Sequence, residues 1–217
     1  MEKKKSKSRI GKEHFTVSTG SQNPIAEQFR RLRTNINFSF SNQEVQSLVI
    51  TSAAATEGKS WIAANLAIIY AQEGKKVLLV DSDMRNPTVH KNFNVSNDVG
   101  LSNVLAGEMK AEAAIKKTFV EHLDLMPCGP VPLNPAELLA SEYTNKMFDS
   151  MKLSYDIIIS DSPALLSVVD GQILANKCDG SILVINSGKT DRQEAIKAKD
   201  AIALSNGRLM GVILNNF

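Results

Sequence analysis

The stretch SLVITSAAATEGKS, from Ser47 to Ser60, decides the fold. Its first residues are apolar and β-branched, which predicts a buried strand, and the small residues after them predict a loop. The loop ends in Gly58-Lys59-Ser60, and a helical pattern, WIAANLAIIYAQ, begins at once. A strand, a small-residue loop, a Gly-Lys-Ser triplet and a helix, in this order, are the context of a phosphate-binding loop.

The chemistry of such a loop comes from its backbone and from two side chains. Its N–H groups cradle anionic oxygens, and the N-terminus of the following helix adds positive potential. The lysine of the triplet reaches the β- and γ-phosphates, and the serine hydroxyl is a Mg²⁺ ligand. Ala53 stands where the strict pattern has glycine, and a plain surface turn is the alternative. The residues predicted to bind the nucleotide here are Thr56, Glu57, Gly58, Lys59, Ser60 and Trp61.

Length and composition predict one domain, residues 23–217, after a basic tail, residues 1–22. The 217 residues are 43% hydrophobic and carry a net charge of +2, which suits a single globular core. The tail has no hydrophobic period and is predicted to be disordered, with contact to anionic lipid as the alternative. Because no aromatic residues are interleaved with its basic ones, we expect no nucleic-acid partner. The basic residues of the tail are Lys3, Lys4, Lys5, Lys7, Arg9 and Lys12.

Cysteine usage and hydropathy favour a cytoplasmic location. Cys128 and Cys178 are far apart in sequence and match no metal-binding spacing, which is typical of ordinary thiols in a reducing compartment. No apolar run approaches the ~20 residues that span a bilayer, and the N-terminus lacks the apolar core of a secretory signal.

Apolar runs alternate with helical patterns along the rest of the chain. The run VLLV, from Val77 to Val80, is apolar on both faces, as parallel strands covered by helices are. The sequence therefore predicts an α/β fold of the P-loop NTPase type, with a mainly parallel central sheet flanked by helices on both faces. The pattern also predicts a helix over residues 111–118, and another over residues 192–205 with Ile196, Ala203 and Leu204 facing inward.

Polar residues stand where several predicted strands end. Asp81 and Asp83 follow one apolar strand, Asp161 ends a second, and Asn215 follows the last. Ligands of such sheets bind beyond the carboxyl ends of the strands, so we expect these side chains to converge on the phosphate loop. For each aspartate alone, capping of a strand end is the alternative.

These residue types suit phosphoryl transfer from a nucleotide with Mg²⁺. The ion prefers oxygen ligands and keeps several waters, so a serine and one or two carboxylates suffice. The predicted Mg²⁺ ligands are Ser60, Asp81 and Asp161. The predicted catalytic residues are Lys59, Asp81 and Asp83, and one of the two aspartates accepts the proton of the acceptor. Arg85 either stabilises charge or pairs with Asp83.

The helix predicted from Pro24 carries a charged stripe beside its apolar face. Glu27, Arg30 and Arg33 recur at every third position of this helix. The stripe is either a set of intrahelical ion pairs, worth roughly a few tenths of a kcal/mol, or a contact with another subunit.

Three stretches resemble the Walker A, A′ and B motifs of the bacterial tyrosine kinases: ITSAAATEGKS, VLLVDSDMRNP and YDIIISDSPA. That family lies in the same broad P-loop class as the partition and division-site ATPases. EQFRRLRTN, which begins at Glu27, is similar to the family's E-x-x-R-x-x-R oligomerisation motif, and GPVPLNPAELL, from Gly129, also matches. The resemblance covers the chain from about residue 22 to its end.

The resemblance implies autophosphorylation on tyrosine with ATP and Mg²⁺, in the control of capsular polysaccharide or exopolysaccharide synthesis and export. It implies a membrane-embedded activator of the polysaccharide co-polymerase type, which holds the kinase at the inner face of the cell membrane. It also implies a homo-oligomeric ring and protein tyrosine substrates. Carried over by motif, Asp161 binds Mg²⁺ through water and Asn215 contacts the adenine. The residues that match the ring-forming motif are Glu27, Arg30 and Arg33.

The sequence departs from the family pattern at three places. Ala55-Thr56 stands where the family has Pro-Gly, and Ser162-Pro163-Ala164 stands where it has Thr-Pro-Pro. The family ends in a tyrosine-rich tail, and no tyrosine follows Tyr155 here. Two alternatives therefore stay open: an ATP-switched scaffold that forms no phosphotyrosine, and a partition-type ATPase. The small residues around Ala54 argue against the second, because that branch carries a lysine early in this loop.

Overall fold

The computed structural model describes residues 24–39 and 45–216. Within these ranges a single sheet has the strand order β3-β4-β2-β5-β1-β6-β7. All neighbouring strands are parallel except β3 and β4, which are antiparallel, so the predicted mainly parallel sheet is confirmed. The predicted disordered tail lies outside the described residues. The strands are β1 (Ser47–Ser52), β2 (Val77–Asp81), β3 (Lys116–Lys117), β4 (Leu123–Met126), β5 (Ile157–Asp161), β6 (Gly180–Asn186) and β7 (Leu209–Asn215).

Helices cover both faces of the sheet, as predicted. Among the described residues, none of them combines the length and the apolar character needed to cross a membrane. The helices are α1 (Pro24–Ser39), α2 (Lys59–Gln72), α3 (Val89–Phe93), α4 (Leu101–Leu105), α5 (Ala111–Ala114), α6 (Pro135–Ala140), α7 (Glu142–Lys152), α8 (Asp170–Lys177) and α9 (Arg192–Leu204).

The sheet separates two hydrophobic clusters, and alternate residues of each strand enter one or the other. Leu48 and Ile50 of β1 pack in the cluster that α1 and α2 cover. Val49 enters the opposite cluster, which α4, α7, α8 and α9 cover. Because side chains alternate along a strand, both faces of β1 must be apolar, and this explains its continuous apolar run.

The order of the central strands places the predicted site. β5 lies between β1 and β2, and Asp161 of β5 is paired in register with Asp81 of β2. The loops that follow β1, β2 and β5 therefore leave the sheet side by side at its carboxyl edge. The backbone N–H of Ser82 donates to the carbonyl oxygen of Asp161 at 2.8 Å, which joins two of these loops directly.

Two details of the predicted elements are wrong. The helix predicted over residues 111–118 ends at Ala114, and Lys116–Lys117 instead pairs with β4, where Lys117 Nζ lies 2.8 Å from Asp124 Oδ2. On α9, Ile196 and Leu204 are exposed, and so is Ala203. The residues that α9 buries are Ala198, Ala201 and Ile202. Small alanines let this helix approach the sheet closely, and hydrophobicity alone did not reveal that face.

Candidate nucleotide and magnesium site

The predicted phosphate loop joins β1 to α2 in a left-handed turn. Thr56 has a φ of 64° and Gly58 a φ of 91°. A Cβ on Gly58 would lie 2.3 Å from Nδ2 of Asn215, so the Asn215 side chain would have to shift. Thr56, where relatives of this loop often carry glycine, adopts a conformation that costs a non-glycine residue on the order of 1 kcal/mol. α2 begins directly after the loop at Lys59, so its N-terminus points at the space that the loop encloses.

Glu57 braces this loop from within. Its side chain is buried, and its Oε2 accepts a hydrogen bond from the backbone N–H of Ala54 at 3.0 Å. The hydroxyl of Thr190, in the loop after β6, donates to its other oxygen. Asn215 Nδ2 donates to the backbone carbonyl of Glu57 at 2.9 Å. The side chains of Glu57 and Asn215 therefore hold the loop to its neighbours.

Lys59 and Asp83 form an ion pair above the loop. The Lys59 Nζ to Asp83 Oδ2 distance is 3.2 Å, and both side chains are largely shielded from water. The backbone N–H of Asn86 donates to Asp83 Oδ1 at 3.0 Å, which closes a turn over residues 83–86. Asp83 therefore has two separate contacts that fix its position.

Asp81 and Asp161 lie side by side, and both are fully buried. Asp81 Oδ2 accepts hydrogen bonds from the backbone N–H groups of Thr88, at 3.1 Å, and Val89, at 3.0 Å. Asp81 Oδ1 and both oxygens of Asp161 have no hydrogen-bond partner among the residues that the structure describes. Buried carboxylate oxygens without partners are rare in folded proteins, because each costs free energy.

The pKa values of both carboxyls reflect this environment. Loss of solvent raises the pKa of Asp81, and the neighbouring Asp161 raises it further. Burial also raises the pKa of Asp161, to about 6, while Lys59 and the Ser60 side chain act in the opposite direction. A nearby cation would stabilise the charged forms of both groups.

The residues present fit a magnesium ion that a nucleotide helps to hold. Three carboxylate oxygens without hydrogen bonds lie on two adjacent strand ends beside Ser60, and oxygen is the ligand type that Mg²⁺ prefers. In residues 24–39 and 45–216, no group of three His, Cys, Asp or Glu side chains is placed to hold a metal alone. The ion would therefore take further ligands from phosphate oxygens and water.

Arg85 does not pair with Asp83. Its Nε donates to Asp170 Oδ2 and its Nη2 donates to Asp170 Oδ1, both at 3.0 Å. Asp170 is fully buried at the start of α8, and Arg85 is 40% exposed. The pair connects the loop after β2 with the helix reached from β5.

Trp61 lies in the first turn of α2 and packs toward α1. Its ring packs edge-on against Phe29 of α1, with the ring centroids 5.3 Å apart. Both rings line a groove of about 610 Å³ between α1, α2 and β7, which Asn215 also borders. In this position Trp61 links α1 to the start of α2, and its role toward the nucleotide stays a prediction.

The charged stripe of α1 divides into two kinds of contact. Arg30 Nη1 lies 3.2 Å from Glu27 Oε2, and both side chains are exposed. Arg33 turns inward instead: it donates to the carbonyl of Ile69 at 3.4 Å and lies 3.4 Å from Glu73 at the end of α2. Glu27 and Arg30 therefore form a surface pair, whereas Arg33 joins two helices of one chain. Their role in oligomerisation stays a prediction.

Sequence reasoning missed three residues near the site. Asp170 was not singled out because it stands beyond the Asp161 motif, and Thr190 because a loop threonine carries no signal of its own. Asn186 was also missed, although it ends β6 at the same edge of the sheet as Asn215 ends β7. Its Oδ1 atom is buried without a hydrogen bond in the described part of the chain. A systematic search for polar residues at strand ends would have found it.

Comparisons with known proteins found a matching family model, similar curated proteins and similar solved structures. A family model described as an AAA domain matches residues 46–192. Over 190 residues the chain is 48% identical to the tyrosine-protein kinase YwqD of Bacillus subtilis (strain 168), an alignment that covers 88% of this chain and 80% of that protein. The structure of the chimerical protein CapA2B2 superposes with a TM-score of 0.90 at 40% identity, covering 94% of this chain and 90% of that one.

A more distant neighbour binds a magnesium nucleotide. It is the septum site-determining protein MinD complexed with Mg-ADP from Pyrococcus horikoshii OT3, with a TM-score of 0.68 and 26% identity. The match covers 78% of this chain and 69% of that one. The likeness therefore covers most of this chain and not only its phosphate loop.

Proposed function

This chain belongs to the family of bacterial tyrosine kinases, and we propose that it is an ATP-dependent autokinase that regulates capsular polysaccharide or exopolysaccharide synthesis and export. As a member of that family it is a protein-tyrosine kinase. The observation that supports the mechanism is the convergence of Lys59, Asp83, Asp81 and Asp161 beside the phosphate loop, with three carboxylate oxygens lacking partners in the described part of the chain.

The proposed site divides the work between its carboxylates. Asp81 and Asp161 suit the divalent cation, because they are buried side by side and three of their four carboxylate oxygens accept no hydrogen bond from the described residues. Mg²⁺, when bound there with Ser60, would neutralise charge on the phosphates. Asp83 is assigned as the proton acceptor, because it lies next to Lys59 and keeps a small exposed fraction.

Phosphoryl transfer then follows from these positions. The tyrosine hydroxyl oxygen attacks the γ-phosphorus, and the bond from that phosphorus to the β–γ bridging oxygen breaks. The proton of the hydroxyl passes to Asp83, and ADP is the leaving group. Lys59 is placed to stabilise the negative charge on the β- and γ-phosphates, and we expect it to move from Asp83 to the phosphate oxygens when the nucleotide binds.

The test uses an external acceptor, because most tyrosines of this chain are poorly placed to react. Tyr70 is buried and donates to Asn37, and Tyr155 donates to Asp124. The purified chain is incubated with labelled ATP, Mg²⁺ and a glutamate–tyrosine copolymer, with and without the cytoplasmic segment of its polysaccharide co-polymerase. We expect label on tyrosine, and we expect Lys59→Met to abolish it.

A variant of an exposed lysine serves as the control, and the other outcomes separate the alternatives. Lys75 lies beyond the far end of α2, so Lys75→Met should leave the label unchanged. ATP hydrolysis that depends on Lys59 but leaves no label on tyrosine would favour the ATP-switched scaffold. A fully active Lys59→Met protein would mean that the phosphate loop is misassigned.

The partners and the location belong to the same proposal. The chain is assigned to the cytoplasmic side of the membrane, bound to a membrane-embedded activator of the polysaccharide co-polymerase type. It is expected to form a homo-oligomeric ring through Glu27, Arg30 and Arg33. Support comes from the E-x-x-R-x-x-R spacing and from the exposure of the Glu27–Arg30 pair.

A further inference from the structure

The Arg85–Asp170 pair lies outside the predicted phosphate site, yet it connects two loops that form it. Arg85 stands two residues after Asp83, and Asp170 begins the helix that follows the Asp161 loop. The two parallel N–H···O bonds, at 3.0 Å each, fix both the distance and the plane of the guanidinium. Because Asp170 is fully buried, its carboxylate depends on this arginine for compensation of its charge.

The loop that leads from β5 to Asp170 is hydrogen-bonded to the end of β1 and the start of the phosphate loop. The hydroxyl of Thr51 donates to the carbonyl of Pro163 at 3.0 Å. The backbone N–H groups of Leu165 and Leu166 donate to the carbonyls of Ser52 and Ala53, at 2.9 Å and 3.3 Å. The start of α8 packs closely against the same strand end, because a Cβ on Gly171 would lie 3.0 Å from the carbonyl oxygen of Pro163 and 3.4 Å from the hydroxyl of Thr51.

Asp83 itself is held by fewer contacts than the loop that leads to Asp170. Asp83 is held by Lys59 and by the backbone N–H of Asn86. If Lys59 leaves Asp83 to bind phosphate, the hydrogen bond from Asn86 is the one of these two contacts that remains, and Arg85 lies inside the turn that this bond closes.

We propose that Asp170 is a positioning residue, which acts through Arg85 to hold Asp83 in the site while Lys59 is bound to phosphate. This inference rests on the proposed function, since it assumes that Lys59 changes partner during phosphoryl transfer. It assigns Asp170 no contact with the nucleotide. Its effect should therefore appear in turnover at saturating ATP and not in nucleotide binding.

The experiment compares Asp170→Asn, Arg85→Gln, their double variant and Arg85→Lys. We expect kcat for phosphoryl transfer at saturating Mg-ATP to fall about tenfold or more in both single variants, because a misplaced group loses its orientation. The Kd for Mg-ADP should stay within about threefold of the wild type.

The double variant should be no slower than the slower single variant, because both substitutions remove the same Arg85–Asp170 contact. Arg85→Lys should behave like Arg85→Gln, because an ammonium cannot make the two-pronged contact.

A matched control separates positioning from stability. Like Asp170, Asp179 accepts a hydrogen bond from a positively charged side chain, at 2.8 Å from Lys152 Nζ. It also accepts hydrogen bonds from the backbone N–H groups of Gln46 and Ser47. Asp179 directly precedes β6, so it lies at the amino end of the strands, away from the phosphate site. Asp179→Asn should lower the midpoint temperature of unfolding and leave kcat unchanged at temperatures well below that midpoint. Asp170→Asn with wild-type kcat and only a lower midpoint would overturn the proposal, and so would full recovery in Arg85→Lys.

The same variants distinguish failure of this inference from failure of the proposed function. Lack of tyrosine label with the wild-type protein refutes the kinase assignment, and the release of γ-phosphate to water is then the readout. Asp83 must still be held in place for that reaction. We therefore expect the Asp170 and Arg85 variants to release γ-phosphate at about a tenth of the wild-type rate. Equal hydrolysis rates in all variants would overturn the inference, and a wild type without any turnover would overturn both.

Discussion

Asp81 and Asp161 place two buried carboxyl groups side by side, and this arrangement makes the site sensitive to pH. An aspartate whose pKa lies above its unfolded value of about 3.9 holds its proton more tightly in the folded protein. Burial raises the pKa of Asp161 to about 6. The free energy of unfolding should therefore decrease as the pH rises from about 4 through about 6, in the absence of nucleotide.

Asp161→Asn tests this dependence. It removes the buried charge, so we expect it to raise the free energy of unfolding at about pH 7.5, by on the order of 2 kcal/mol, and to flatten the pH profile. Mg-ADP should bind the wild type more weakly below about pH 6, because the ion requires the ionised carboxylate. Urea unfolding across this range of pH and titration with Mg-ADP measure the two effects. An Asp161→Asn variant that is less stable than the wild type above the pKa of Asp161 would contradict the account.

Gly58 offers a second prediction at the residue scale. A methyl group there would meet Asn215 Nδ2 at 2.3 Å, and the left-handed φ of 91° adds strain. We expect Gly58→Ala to weaken Mg-ADP binding by about tenfold or more, because the alanine strains the loop backbone and displaces the Asn215 amide that donates to the carbonyl of Glu57.

Gly74→Ala is the control for Gly58→Ala. Gly74 has a similar φ of 88° but open space around it, so its substitution isolates the backbone cost. We expect about 1 kcal/mol of destabilisation and unchanged Mg-ADP affinity. Equal affinities for the two alanine variants would show that Asn215 does not hold the phosphate loop in shape.

At the scale of elements, α1 presents two arginines with different tasks. Arg33 contacts Ile69 and Glu73 at the end of α2, whereas Arg30 pairs with Glu27 on the surface of its own helix. We expect Arg33→Ala to lower the free energy of unfolding of the monomer by about 1 kcal/mol, and Arg30→Ala to change it by less than about 0.5 kcal/mol.

The same two variants separate packing from assembly. If α1 forms the subunit contact through its exposed stripe, Arg30→Ala should give smaller particles in light scattering although the monomer stays stable. A particle size that changes with Arg33→Ala alone would indicate that α1 packing, and not the surface stripe, controls assembly.

The elements also show what the sequence could and could not predict. Continuous apolar runs such as Val77 to Val80 are typical of strands inside a covered parallel sheet, so the positions of these central strands followed from the order of apolar residues in the sequence. The buried face of α9 did not, because two of its three buried residues, Ala198 and Ala201, are small and only weakly hydrophobic. The partner of Arg85 was missed for another reason. Asp170 comes close only because β2 and β5 are neighbours, and no local pattern contains that information.

At the scale of the whole molecule, the strand order determines the chemistry. β5 lies between β1 and β2, so three loops with complementary tasks meet at one edge: one for phosphate, one with Asp81 and Asp83, and one with Asp161. The rule that ligands bind beyond the carboxyl ends of the strands predicted this convergence from the sequence. The rule could not predict that three carboxylate oxygens lack hydrogen bonds within the described ranges, because that depends on atomic packing.

The central claim is that a triphosphate and its divalent ion bind where Lys59, Asp81, Asp83 and Asp161 meet. A crystal structure with a non-hydrolysable ATP analogue and Mn²⁺, located by its anomalous signal, tests it most directly. We predict the ion next to Ser60 and the Asp81–Asp161 pair, with Lys59 Nζ moved from Asp83 to the phosphate oxygens and the Arg85–Asp170 bonds intact. An anomalous peak elsewhere, or a lysine still paired with Asp83 beside an ordered triphosphate, would contradict the account.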